Sequence, residues 1–364
     1  MKVIETSNSC KIFPDDLVVN DKLTPDVYTI SFSEMSGWSL IKKKDFASGK
    51  EKMYGNAKAK IAKALKAYKL MERSLGILLS GPKGIGKTLF TVNLCNTMIK
   101  EGYPVIIVDT PIKGFTDFIS SIQQEIVILF DEFDKNFKDD DDEGNNVQNK
   151  LLSFFDGLSG QKRMYLVTCN RDYDISDYMK GRPGRFHYHI KFDYPKEKEV
   201  TTYMKDKLKP EKHDMIPAVV RLSYQTNLNY DCLRAIAFEL NMGSTMEEIL
   251  EDLNIPFSSD RKLVGIQKNG TKVFLGELND LDDYKNQSFN FWMPDKAKGG
   301  EHPIRIEING KPDFDEKKRI FYYDDNKFKA KLRDDYDKEQ YLLNPFERII
   351  IENVPAIDNL ATLL

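Results

Sequence analysis

The chain has 364 residues, enough for two or three compact units that each bury a core of their own. Its 41% apolar and 30% charged residues are the proportions of an ordinary folded globular protein. A formal charge of −3, with lysine and aspartate mixed along most of the chain, gives no basic face of the kind that nucleic acid or an anionic membrane surface demands. No apolar run reaches the length of a membrane span, and Cys10, Cys95, Cys169 and Cys232 are scattered without zinc-type spacing. The expectation is a cytoplasmic chain with reduced thiols and no membrane partner.

Residues 1–50 alternate apolar and polar positions in short runs such as DVYTISF (26–32), a β-rich N-terminal segment. From Asn56 to Arg73 the period becomes helical, with Ile61, Leu65, Tyr68 and Leu70 on the apolar face. Strand and helix runs then alternate. GILLS (76–80) leads into GPKGIGKT (81–88) and a helix over 88–102, followed by the strand PVIIVDT (104–110). A short helix near 116–122 precedes the strand IVILF (126–130), and a helix near 147–158 precedes MYLVTCN (164–170). Continuous apolar strands alternating with helices predict an α/β fold, a parallel sheet sandwiched by helices. The charged run KDDDDEGNN (138–146) reads as a solvated loop.

Residues 195–254 read as helical, ending in STMEEILEDL, where Ser244 and Glu247 have capping-box spacing. From 255 to 364 the chain turns β-rich. Asn269-Gly270 and Asn309-Gly310 predict hairpins, and one helical segment is expected near 327–343. The domain expectation is therefore 1–50, 51–194, 195–254 and 255–364.

Two strings carry chemistry on their own residues. In GPKGIGKT the loop Gly81, Pro82, Lys83, Gly84, Ile85 and Gly86 forms a phosphate cradle that runs on to Leu89: its glycines let the backbone N–H groups, which Pro82 lacks, close around the phosphates. Lys87 would reach the β- and γ-phosphates of ATP, and the Thr88 hydroxyl would ligate Mg²⁺. The strand IVILF ends in Asp131 and Glu132. The first is placed to hold the Mg²⁺ shell, which also puts it in the cofactor site, and the second to polarise the attacking water as general base. His187 and His189 alternate on a strand-like run and are read as strand residues.

GPKGIGKT, ILFDEFD (128–134), LVTCN (166–170) and GRPGRFHYHI (181–190) resemble, in order, the motifs of the AAA family of ATPases. The resemblance covers roughly residues 50–253. It implies an AAA+ P-loop domain with a small helical lid, a polar sensor at Asn170, and two arginines, Arg182 and Arg185, that reach the nucleotide of a neighbouring subunit. It also implies a homo-oligomeric ring, with six subunits the family expectation. By analogy Arg234 falls where related ATPases carry a second sensor, and Tyr54-Gly55 where they line the adenine pocket. The connector between PVIIVDT and IVILF is short, similar to the branch that contains the mitochondrial Rieske-protein translocase, and carries no aromatic-apolar-glycine pore tripeptide. Phe115, its one aromatic candidate, is spaced with Phe118 and Ile119 to bury. ATP-driven remodelling of a protein partner is the expected function. A DNA-linked clamp-loader or helicase-loader ATPase is the alternative, with nucleic acid possible but not indicated, and a nucleotide-dependent scaffold is third.

Overall fold

Short, uninterrupted apolar runs become strands buried on both faces. Four of them, β5 (Leu75–Ser80), β6 (Val105–Val108), β7 (Ile126–Phe130) and β8 (Arg163–Cys169), are buried at every position. The computed structural model describes residues 2–6, 9–13, 18–43, 51–137, 147–156, 161–171, 175, 179, 182–253, 255, 261–278, 287–294, 301–310, 312–315, 318, 320–333, 339–341 and 346–353. The expected solvated loop at 138–146 lies outside them. The chain divides into two units, Met1–Asp193 and Tyr194–Leu364.

In the first unit β1 (Lys2–Thr6) and β2 (Ser9–Phe13) make a two-stranded antiparallel pair. β3 (Val27–Ser33) and β4 (Gly37–Lys42) join β5 to β8 and β9 (Tyr188–Lys191) in one sheet of order β4-β3-β6-β7-β8-β5-β9. Every pairing in it is parallel except β3 with β4. The N-terminal residues are β-rich as expected, yet 27–42 build the edge of the central sheet. Val27–Thr29 take up the N–H and C=O groups that β6 would otherwise leave unpaired.

Helices cover both faces. On one, α1 (Ala57–Leu70) and α2 (Lys87–Lys100) pack Ile61, Tyr68, Phe90 and Leu94 against Ile77, Leu79 and Leu129. On the other, α3 (Phe115–Ser120), α4 (Phe133–Asn136) and α5 (Val147–Phe155) enclose a core rich in phenylalanine. Leu70, expected on the buried face of α1, is 73% exposed, because it is the helix's last residue and Tyr68 fills the position against the sheet.

The second unit begins with α6 (Glu197–Lys207), a 3-10 turn, α7 (Ile216–Gln225), α8 (Tyr230–Met242) and α9 (Met246–Asp252). The box that caps α9 is Thr245 with Glu248, one residue later than the expected Ser244 with Glu247. The Ser244 hydroxyl instead donates to Glu239. Among the described residues nine strands follow: β10 (Arg261–Gln267), β11 (Lys272–Leu278), β12 (Gln287–Pro294), β13 (Glu301–Ile308), β14 (Asp313–Asp315), β15 (Ile320–Asp324), β16 (Phe328–Arg333), β17 (Glu339–Tyr341) and β18 (Phe346–Asn353).

Those strands form two sheets, β11-β10-β18-β15-β14 and β12-β13-β16-β17, whose facing residues include Leu263, Ile306, Tyr323, Phe328, Phe346 and Ile349. Asn269-Gly270 makes the expected hairpin between β10 and β11. Asn309-Gly310 does not. It carries the chain from β13 in one sheet to β14 in the other, and the Asn309 amide donates to the Lys327 carbonyl. The expected helix near 327–343 is also corrected: 328–333 is strand. Phe328 and Ala330 enter the core while Lys329 stays exposed, a period of two that the intervening lysines disguise.

Candidate functional site

The nucleotide-type loop joins β5 to the first turn of the 14-residue helix α2. Gly81 has φ +138, and a Cβ there would collide with the Phe192 carbonyl oxygen, so only glycine lets the loop close. The free N–H groups that open α2 add the positive end of a helix dipole. Lys87 is 8% exposed. Its ammonium donates to the carbonyls of Gly81 (2.6 Å) and Pro82 (2.7 Å) and to Asn170 Oδ1 (3.0 Å). Burial pushes its pKa down, against the pull of Cys169, Asp134, Asp131 and Glu132.

This cradle fits a phosphate. A buried cation whose hydrogen bonds all go to neutral oxygens, at a helix N-terminus, is a site for an anion. Asn170 Nδ2 is buried and makes no hydrogen bond of good geometry among the described residues, while its side chain lies close enough to the Glu132 carboxyl to help lower it. The Thr88 hydroxyl and Asp131 carboxylate are hard oxygen donors, the set that suits Mg²⁺. Thr88 is exposed and Asp131 half-buried.

Beyond the end of β7 the chain turns sharply. Glu132 has φ 48, a left-handed conformation costing a non-glycine residue about 1–2 kcal/mol. The Thr168 hydroxyl donates to Asp131 Oδ1 at 2.6 Å and accepts the Glu132 N–H at 2.9 Å. Glu132 Oε1 pairs with Lys135 at 2.5 Å, which holds the carboxyl below the usual range while partial burial opposes. Asp134 is 4% exposed. Its Oδ2 accepts the Asn170 N–H at 3.1 Å, and its Oδ1 is buried with no partner among the described residues.

Lys87 and Asn170 are therefore joined directly, Asp131 and Glu132 are joined through Thr168, and Asp134 links the acidic turn to Asn170. Lys83 is exposed and Leu89 half-buried. The two arginines are not equivalent. They flank a turn closed by the Arg185 N–H to the Arg182 carbonyl at 2.9 Å. Arg182 is exposed, whereas Arg185 is 7% exposed and donates from Nε and Nη2 to Asp156 at 2.5 and 2.7 Å. That bidentate pair pushes Asp156 down and Arg185 up from their ordinary pKa values. Arg234 is exposed on α8 in the second unit, and Tyr54 is half-buried with the Lys52 ammonium 5.4 Å from its ring.

Sequence reasoning passed over Thr168, Asp134 and Asp156. Thr168 lies two residues before Asn170, on the same side of the strand by alternation, which was the available signal. Asp134 completes the acidic string DEFD. Asp156 had no signal, since an aspartate after a helix is ordinary.

A parallel sheet with a glycine loop at the end of one strand and an acidic pair at the end of another defines a P-loop nucleotide-binding domain. Residues 77–194 match the family described as ATPase family associated with various cellular activities (AAA), and the chain carries an AAA domain there. It is 30% identical over 151 residues to the vesicular-fusion protein SEC18 of Candida albicans, covering 34% of this chain and 19% of that one. It is 29% identical over 151 residues to the ATP-dependent zinc metalloprotease FtsH of Karelsulcia muelleri (strain DMIN), covering 37% and 24%. The peroxisomal ATPase PEX1 of Dictyostelium discoideum is 27% identical over 191 residues, covering 47% and 15%. The chain thus spans less than a quarter of the length of these curated relatives. Among the described residues no helix is long and apolar enough to cross a membrane.

Proposed function

We propose that this chain hydrolyses ATP with Mg²⁺ and uses the cycle to remodel a protein partner. The observation that carries the reading is Lys87: a buried ammonium bonded to three neutral oxygens, one of them on the sensor Asn170. An arriving phosphate gives that cation its counter-charge and releases Asn170 Oδ1. The backbone from Gly81 to Gly86, with Leu89 in the helix's first turn, holds the phosphates. Thr88 and Asp131 hold the Mg²⁺, which supplies charge neutralisation on the phosphate oxygens. Glu132 takes the proton of the attacking water, and its lowered pKa keeps it a carboxylate, able to accept. Asn170 orients that water.

Arg182 and Arg185 belong, on this reading, to the interface with a neighbouring subunit of a closed homo-oligomeric ring, with six subunits the family expectation. The recognition parts are the flanking β-rich regions of the division 1–50, 51–194, 195–254 and 255–364. The cytoplasm is the proposed setting, on the strength of Cys95, Cys169 and Cys232, which are buried and form no disulfide.

Two variants test the site. Lys87→Ala should lose nucleotide binding, measured by titration with a fluorescent ATP analogue. Glu132→Gln should bind ATP as the parent does and release phosphate at most about a hundredth as fast. Parent-like turnover by Glu132→Gln would rule out its role as base. A Glu132→Gln trap held in the ATP state is also the reagent for capturing the protein partner.

A further inference from the structure

Thr168 is 3% exposed on β8. The register of β7 and β8 sets Phe130 beside Val167, so the next residues along, Asp131 and Thr168, are neighbours just past the last ladder pair. A hydroxyl has one proton to give, and here it goes to Asp131 Oδ1 at 2.6 Å. The Thr168 hydroxyl oxygen in turn accepts the Glu132 N–H at 2.9 Å. That amide lies beyond the end of β7, in the left-handed turn at φ 48, where the ladder offers it no carbonyl. One buried atom therefore binds both acidic residues, by the side chain of one and the main chain of the other.

We infer that Thr168 is a positioning residue for the acidic pair. It commits Asp131 Oδ1 to the protein and leaves Oδ2 for the shell of a divalent cation. It also pins the strained peptide from which the Glu132 carboxylate is presented. Glu132 can rotate about its own side-chain bonds towards Lys135, but the point from which it swings is set by the Thr168 oxygen. The residue touches neither nucleotide nor water itself and acts only through its two neighbours. The inference rests on the ATPase reading above, and it predicts a defect in metal use and turnover rather than in nucleotide capture.

Three variants separate position from mere packing. Thr168→Ser keeps the hydroxyl, Thr168→Val keeps the shape and loses it, and Thr168→Ala loses it while opening space beside the Glu132 amide. Thr168→Val should bind fluorescent ADP in EDTA as tightly as the parent. The extra affinity gained on adding Mg²⁺, and kcat, should each fall about tenfold to a hundredfold, with KM for ATP little changed. The Mg²⁺ concentration for half-maximal turnover should rise, and Thr168→Ser should restore all of these. If Thr168→Val does not fold by circular dichroism and thermal unfolding, Thr168→Ala gives the same comparison. Parent-like kcat and Mg²⁺ dependence in a folded hydroxyl-free variant would overturn the assignment, as would a serine variant no better than valine. A parent chain that binds no nucleotide would overturn the ATPase reading and this inference together, whereas a competent parent with an indifferent Thr168→Val overturns this inference alone.

Discussion

Phe115 sits where a threading motor would carry its gripping aromatic, and its surroundings give it a different task. It is 5% exposed, with ring centroids 6.3 Å from Phe130, 6.5 Å from Phe137 and 6.2 Å from Phe154. A ring in such a cluster contributes burial and aromatic contact to the core. Phe115→Ala should cost roughly 3–5 kcal/mol of unfolding free energy by denaturant titration, and a loss under about 1 kcal/mol would show that the ring is not core. Asp156 offers a second test at this scale. Its carboxyl is depressed by Arg185, so the pair's stabilisation is fully present above the unfolded carboxyl's pKa and is lost as pH falls through the lower folded value. Thermal unfolding of the parent against Asp156→Asn should show a constant gap from about pH 5 to 8 that closes below about pH 4. A gap unchanged at pH 3 would mean that the ion pair is not its source.

At the scale of elements, α3 is fastened by a ring contact along its length and by a cation at its C-terminal end. The β3–β4 hairpin lays Trp38 on Phe118, with centroids 5.2 Å apart and planes 12° from parallel. At the C-terminal end the wholly buried Arg163, from the start of β8, donates through Nη2 to the carbonyls of Ile119 (2.9 Å), Ser120 (3.4 Å) and Ile122 (3.4 Å). A cation on the last carbonyls of a helix also answers its dipole. A helix held this way suits a brace better than a sliding loop. The strand β5 carries the next constraint. A Cβ on Gly76 would collide with the Arg185 carbonyl, so glycine is what lets the 182–186 turn lie against the sheet. Gly76→Ala should lower stability by about 1–3 kcal/mol and weaken turnover through the displaced arginines. An unchanged melting temperature would show that the turn yields without cost.

At the scale of the whole molecule, the difference between the arginines decides which variant to use. Removing Arg185 also strips Asp156 of its partner, whereas Arg182 is exposed and can be truncated with little effect on its own subunit. Mixing Arg182→Ala subunits with Lys87→Ala subunits, each inactive alone, should therefore restore part of the ATPase rate through interfaces that pair an intact arginine with an intact loop. A per-subunit rate that stays constant on dilution to the monomer would refute an arginine supplied by a neighbour.

The sequence by itself determined the glycine loop between β5 and α2, the acidic pair at the end of β7 and the parallel sheet, because each is written in contiguous residues. A glycine loop needs its glycines in a row, and a strand buried on both faces must be apolar without interruption. The tertiary structure alone decided what each polar atom answers. Thr168 meets Asp131 across 37 positions and Arg185 meets Asp156 across 29, and no local period encodes such a pairing. It also decided that residues 27–42 extend the central sheet, that Asn309-Gly310 crosses between sheets, and that 328–333 is strand. A turn signal fixes where the chain can reverse and a propensity fixes what it can become. The partner strand that satisfies its backbone hydrogen bonds comes from elsewhere in the chain, and that partner makes the choice.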